Sequence, residues 1–214
     1  MLSSNTYLIG ISGGSCSGKT FLTNKLLKKY GPNKISIISL DSYYFDLSML
    51  NMSEREKNNF DHPASFDFKQ LETDLKKLKH NNQIKIPQYD FKTHTRKKVT
   101  KKINPTEIIL IEGILTLYQK EIRKLLNLKI FLNISDKLRK EVRLKRDEAQ
   151  RARTKTSILS QYKDTVEPMY TKYVQPTSKF ADVIIKDNSY FNNGFNILSK
   201  QINLILEKDA NTKK

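Results

Sequence analysis

The run GGSCSGKT occupies residues 13–20 and follows directly on the apolar stretch YLIGIS at 7–12. Gly13, Gly18, Lys19 and Thr20 satisfy the spacing G-x-x-x-x-G-K-S/T, in the strand-before, helix-after context that a phosphate-cradling loop requires. Glycines let the backbone turn its N–H groups inward around phosphate oxygens, so Gly13, Gly14, Ser15, Cys16, Ser17 and Gly18 are expected to form the cradle. A helix beginning near Lys19 adds the positive end of its dipole. Lys19 is expected to reach the β and γ phosphates, and the Thr20 hydroxyl to ligate Mg²⁺. The pattern predicts binding of a nucleoside triphosphate. Cys16 has two readings, a reactive thiol inside the loop or a position that only needs a small side chain, and the second is favoured.

Two acids close other apolar runs. ISIISL at 35–40 leads into Asp41, and EIILI at 107–111 leads into Glu112. Either one alone could cap a turn, but an acid at the carboxyl end of a parallel strand lies on the ligand edge of a sheet, where it can hold Mg²⁺ directly or through water. Asp41 precedes SYYF; if the acceptor is a hydroxyl, Asp41 can orient it and take its proton. Glu112, at the Walker B position, is better placed for the metal. A third cluster, RKEVRLKRDEAQRAR at 139–153, puts Arg143, Arg146, Arg151 and Arg153 on neighbouring helix faces. Guanidinium groups bind phosphate in bidentate fashion, so this stretch reads as a lid over about 143–156 that closes on the transferred phosphoryl group. The competing reading is a solvated helix laced with ion pairs, for which Glu141, Asp147 and Glu148 are available.

These groups need a scaffold that brings strand ends together. β-Branched apolar runs at 7–12, 35–40, 107–111, 128–133 and 182–186 read as five buried parallel strands. Between them, 67–80 carries Phe68, Leu71, Leu75 and Leu78 on one helical face, and further helices are expected over roughly 135–152, 156–174 and 194–208. The pattern is α/β: a P-loop NTPase fold with a five-stranded parallel sheet flanked by helices, in a single domain over 1–214. One segment, 83–103, breaks the alternation and reads as an inserted β-hairpin with Pro87 at a strand end. Within it, QYDFKTHTRKK mixes aromatic residues, His94 and positive charge.

The chain has 214 residues, a formal net charge of +17 and one cysteine, so an internal disulfide is excluded. No apolar run approaches a membrane span, and the N-terminal residues lack signal-peptide features, from which a cytoplasmic location is expected. The charge invites a nucleic-acid reading. The lysines, however, are spread over many helix faces, which favours a solvated basic surface, and no nucleic-acid or membrane partner is expected.

Taken in order, GISGGSCSGKT, LDSYYF, NFDHPASFDF, IPQYDFKTHTR, IEGIL, the LKRD helix with its following arginines, and ILSQYKDTVEPMYTKYVQPTSKFADVII resemble the uridine kinase (uridine–cytidine kinase) family of P-loop nucleoside kinases. The likeness runs through nearly all of the chain to about residue 187. It implies transfer of the γ-phosphoryl group of ATP or GTP, with Mg²⁺, to the 5′-hydroxyl of uridine or cytidine in pyrimidine salvage, by an enzyme that is commonly a homotetramer and can be inhibited by CTP. It further implies that Asp41 is the catalytic aspartate, that Tyr44 lies near the sugar, and that Asp61 binds ribose hydroxyls. Tyr89 and His94 would hold and read the base, Glu112 would be the magnesium-associated acid, and Arg143, Arg146, Arg151 and Arg153 would contact sugar and phosphates, with Gln161 near the nucleoside. An Asp accepting from both ribose hydroxyls favours ribose over deoxyribose, and a His that can present a donor or an acceptor serves either pyrimidine. The sequence departs from the family at Ala152, where Gly is usual, at Thr154, where an acid is usual, and at Cys16 and Phe21. The alternatives are a P-loop kinase for another small hydroxyl substrate, such as pantothenate or phosphoribulose, and a nucleic-acid-binding module switched by its nucleotide.

Overall fold

In the computed structural model, which describes residues 6–151, 154–186 and 190–212, the first apolar run forms strand β1 (Tyr7–Gly13). Helix α1 (Lys19–Tyr30) follows the glycine loop and ends at Gly31, whose positive φ (82°) turns the chain away while its N–H donates to Leu27 O. Strand β2 (Ile35–Ser39) runs into a single 3₁₀ turn, Leu40–Tyr43. Helix α2 (Met52–Glu56) is short and set by a reciprocal Asn51–Glu54 capping box. Helix α3 (Phe68–Lys79) starts where the Asp67 carboxylate accepts from Gln70 N.

The insertion comes next. Strands β3 (Ile84–Ile86), β4 (Tyr89–Asp90), β5 (Thr95–Arg96) and β6 (Lys101–Ile103) make two short antiparallel ladders, β3 with β6 and β4 with β5, where the sequence pattern predicts one hairpin. Pro87 sits between the ladders; lacking an N–H, it cannot extend either.

The chain then returns to the main sheet with β7 (Ile108–Glu112), α4 (Lys120–Leu125), β8 (Leu128–Asn133), α5 (Asp136–Arg151), α6 (Lys155–Gln161), α7 (Glu167–Met169), β9 (Val183–Lys186) and α8 (Tyr190–Thr212). The helix expected over 156–174 is broken: wide π turns at Tyr162–Val166 and Tyr170–Val174 flank the short α7. Pro168 has no N–H to return to Asp164, and Pro176 enters the closing 3₁₀ segment, so α-helical bonding cannot run through either. The last helix is longer at both ends than its apolar periodicity indicates.

All five main strands are parallel, in the order β2-β7-β1-β8-β9. Because both faces are covered, the strands read as continuous apolar runs rather than alternating ones. Leu8, Ile109, Ile111 and Phe131 pack under α3 and α4 with Leu71, Leu75, Leu78 and Ile122. On the other face Ile9, Ile11, Leu110 and Ile130 meet Leu22 and Leu26 of α1 and Leu198 and Ile202 of α8. The strand order puts β1 beside β7, with β2 on the far side of β7. The glycine loop, Asp41 and Glu112 therefore emerge at one edge of the sheet, with Ser39 and Ile11 each in register with Glu112.

Candidate active site

Gly18 takes a left-handed backbone (φ 81°) at the start of α1, and Gly13 (φ 148°) passes so close to β8 that a methyl group there would lie 2.7 Å from Leu132 O. These two positions turn the loop back over Lys19. Cys16 also adopts a left-handed backbone (φ 61°), an uncommon state for a side-chain-bearing residue. Lys19 is buried and donates to the carbonyl oxygens of Gly13 (2.9 Å) and Gly14 (2.8 Å). Burial lowers the pKa of its ammonium, and the nearby carboxylates of Glu112 and Asp41 act in the opposite direction.

A cavity of about 230 Å³ opens in front of this loop, lined by Ser15, Cys16, Gly18, Lys19, Thr20, Asp41, Glu112, Gly113, Ile114, Val142 and Arg146. Within it the Thr20 hydroxyl donates to Glu112 Oε1 at 3.3 Å. Close approach of the two acid-bearing segments depends on Gly113, since a methyl group there would lie 2.3 Å from Leu40 Cβ. The hydroxyl of Thr20 and the carboxylates of Asp41 and Glu112 are hard oxygen donors facing one space. That set suits Mg²⁺, which is held by one or two carboxylates together with substrate phosphates rather than by an all-protein cage. Among the described residues there is no group of three or more His, Cys, Asp or Glu that could hold a metal ion by itself.

Helix α5 supplies the opposite wall. Arg139, Arg143 and Asp147 recur at four-residue spacing and are all buried, so this face is not the solvated surface of the competing reading. Arg143 donates to Ser15 Oγ (3.1 Å) and to Gln161 Oε1 (3.0 Å), tying the glycine loop to α6. Arg146, which borders the cavity, is held by Asp147 at 2.8 Å. The arginine that sequence reasoning passed over is Arg139: its guanidinium lies 3.9 Å from the Tyr170 ring centroid and backs the loop, where a methyl group on Gly14 would lie 2.5 Å from Nη1. Its spacing to Arg143 and Asp147 was the available signal. The side chain of Arg151, and Arg153 altogether, lie outside the described residues.

Of the expected nucleoside residues, Arg143 and Gln161 lie with the glycine loop, whereas Tyr44, Tyr89 and His94 gather in an adjoining aromatic cluster rather than in the cavity itself. Tyr44 continues the turn that bears Asp41, stacks on Phe66 (4.3 Å between centroids), meets Tyr89 at 5.1 Å and Phe60 at 5.4 Å, and donates from its hydroxyl to Phe60 O. His94 lies flat on Phe60 (4.6 Å, 18° between planes), and Asp61 follows Phe60 on the same loop. Tyr89 is buried, and its hydroxyl has no hydrogen-bond partner among the described residues. Arg96 fixes the inserted strands to the body: Nε donates to Tyr44 O (2.8 Å) and Nη1 to Gln70 Oε1 (3.0 Å), while Nη2 pairs with Asp67 at 3.4 Å. A larger open groove of about 710 Å³ runs along α3 beside β3, but none of the loop residues or of the acids at the strand ends lines it.

A parallel sheet that presents a phosphate loop, two strand-end carboxylates and an arginine helix around one cavity defines a P-loop kinase. The sequence profile of the phosphoribulokinase/uridine kinase family matches residues 8–191, and the chain belongs to that family. It is 40% identical to the uridine kinase of Lactococcus lactis subsp. lactis (strain IL1403), over 94% of this chain and 98% of that protein. It is 38% identical to the uridine kinase of Clostridium tetani (strain Massachusetts / E88), over 97% and 99%. Among solved structures, phosphoribulokinase from Rhodobacter spheroides superposes with a TM-score of 0.65 at 15% identity, covering 89% of this chain and 76% of that one. A possible uridine kinase from Bacillus stearothermophilus does so with a TM-score of 0.60 at 19% identity, over 86% and 91%. These likenesses agree with the fold expected from the sequence.

Proposed function

We propose that the protein is a uridine kinase that phosphorylates uridine or cytidine at the 5′-hydroxyl, with ATP or GTP as donor, in pyrimidine salvage. One observation carries the reading: Lys19, Thr20, Asp41, Glu112 and Arg146 line a single cavity, and the turn bearing Asp41 runs straight into the aromatic cluster of Tyr44, Tyr89 and His94. Thr20 and Glu112, with Asp41, would hold Mg²⁺, whose chemistry is to neutralise charge on the phosphate oxygens.

The loop amides and Lys19 hold the donor phosphates, and Arg146 stabilises charge on the group in transit. Asp41 orients the 5′-hydroxyl and accepts its proton as that oxygen bonds to the γ-phosphorus. The bond from the γ-phosphorus to the bridging oxygen breaks, and the nucleoside diphosphate leaves with the electron pair. Asp61 accepts from the ribose hydroxyls, Tyr89 and His94 engage the base, and Arg143 and Gln161 flank the sugar. Arg151 and Arg153 complete the lid. The family resemblance supports a homotetramer, checked by light scattering. Among the described residues no helix is long and apolar enough to cross a membrane.

The test is 5′-monophosphate formation from a panel of uridine, cytidine, adenosine and deoxyuridine with Mg·ATP, beside Asp41→Asn. Uridine and cytidine should turn over, deoxyuridine poorly, and Asp41→Asn should be inactive. Turnover of adenosine alone would refute the base assignment, and full activity of Asp41→Asn would refute the role of Asp41.

A further inference from the structure

The core-facing stripe of α3 follows helical spacing through positions 71, 74, 75 and 78, and three of the four are leucine. The fourth is Asp74, buried with them, its pKa raised chiefly by that burial. Its Oδ2 accepts a hydrogen bond of 3.0 Å from the hydroxyl of Tyr43, itself wholly buried. Stability alone does not account for the pair, because replacing a buried polar pair by apolar groups of similar shape is often neutral or favourable.

What the bond reaches is the turn that carries Asp41. Tyr43 is two residues beyond Asp41 in the 3₁₀ segment Leu40–Tyr43. The hydrogen bond that closes the segment, Tyr44 N to Asp41 O, is long at 3.5 Å. Three hydrogen bonds tie the segment to its surroundings: Asp67 N donates to Tyr43 O (2.8 Å), Arg96 Nε donates to Tyr44 O (2.8 Å) and Tyr43 Oη donates to Asp74. The first two hold the backbone beyond Asp41. The third is made by a side chain of the turn itself and links the turn to α3.

We propose that Asp74 and Tyr43 are positioning residues for phosphoryl transfer, holding the turn so that Asp41 faces Thr20 and Glu112 across the cavity. The proposal rests on the reading of Asp41 as the group that aligns the acceptor hydroxyl.

The experiment compares Tyr43→Phe/Asp74→Leu, Tyr43→Phe, Asp74→Asn and Asp41→Asn for melting temperature, kcat, and KM for uridine and ATP. The double variant keeps an apolar fit and should melt close to wild type with KM for ATP unchanged. Its kcat should fall about tenfold or more, as expected when a reacting group is displaced by a fraction of an ångström. Asp74→Asn still offers an acceptor to Tyr43 and should keep kcat within about twofold of wild type; its contrast with the double variant, which fills the same space without the hydrogen bond, is what a merely space-filling role does not predict. A folded double variant with wild-type kcat, beside an inactive Asp41→Asn, overturns the proposal and leaves the reading of Asp41 intact; a fully active Asp41→Asn overturns both. Should the double variant fail to fold, Tyr43→Phe, which removes one oxygen, carries the same test: lowered kcat supports the proposal and unchanged kcat refutes it.

Discussion

Substituting Gly113 by alanine tests whether contact between two strand ends sets the reacting geometry. The added methyl group would lie 2.3 Å from Leu40 Cβ and 2.9 Å from Leu40 Cδ2. Carbon atoms rest at about 3.5–4.0 Å, so the two segments must part by roughly 1.2 Å at their closest pair. Leu40 Cβ is fixed to the backbone and has no rotamer by which to yield, so the displacement passes to Asp41, the next residue. Overpacking of this kind costs about 1–3 kcal/mol, and misplacement by about 1 Å lowers kcat about 100-fold. Gly31→Ala supplies the comparison. A methyl group there meets nothing within 4 Å, but the backbone has φ 82° and ψ 160°, a combination almost confined to glycine. It should therefore lose about 1–3 kcal/mol through strain alone. In a chain of this size each kcal/mol lowers Tm by about 2–4 °C, so the two variants should melt similarly below wild type. Only Gly113→Ala should lose turnover in a coupled assay with uridine and ATP. If the two variants show equal kcat at equal stability, the argument that Gly113 sets the approach of Asp41 to Glu112 is wrong.

Arg96→Ala should raise KM for uridine about tenfold while leaving KM for ATP in place, since the charged hydrogen bonds it removes, each worth about 1.5–3 kcal/mol, tie the inserted strands to Tyr44 and α3; steady-state kinetics with each substrate varied in turn measures the split. Tyr89→Phe should leave Tm unchanged, because the buried hydroxyl has no partner among the described residues, yet raise KM for uridine about tenfold if that hydroxyl meets the nucleoside; a lowered Tm or an unchanged KM would contradict the placement. The pKa of Asp74 is raised above the ordinary 3.8, so the folded state holds its proton more tightly than the unfolded state. Its contribution is full below the unfolded pKa and lost as pH rises through the folded one. Asp74→Asn, facing Tyr43, Lys77 and Asp67, should therefore gain on wild type in urea midpoints as pH rises above the ordinary carboxyl value of 3.8, and a difference that stays constant with pH would refute it.

The main sheet was legible because strands buried on both faces leave uninterrupted β-branched runs, and the glycine loop because few sequences other than a phosphate cradle need Gly13, Gly18, Lys19 and Thr20 at that spacing. Asp41 and Glu112 could be paired in advance because an acid ending a parallel strand has one edge on which to emerge. What escaped were relations with no period of their own. The steric demand on Gly113 exists only because β2 lies beside β7, and the bond between Tyr43 and Asp74 joins residues that no local pattern connects. The helix over 156–174 was overextended because its apolar spacing continues through Pro168, whose effect is on hydrogen bonding rather than on pattern. Arg139 looked like one more surface charge until the loop was folded against it.

Lys19 donates to the carbonyl oxygens of Gly13 and Gly14, so the side chain that brings positive charge to the loop also ties down its first two residues. An ammonium carries three N–H groups, so under the proposed reaction Lys19 can keep that hold and still offer a hydrogen to a phosphate oxygen. The shape of the cradle and its charge thus come from one residue, and shortening or neutralising it would loosen the backbone as well as weaken the field.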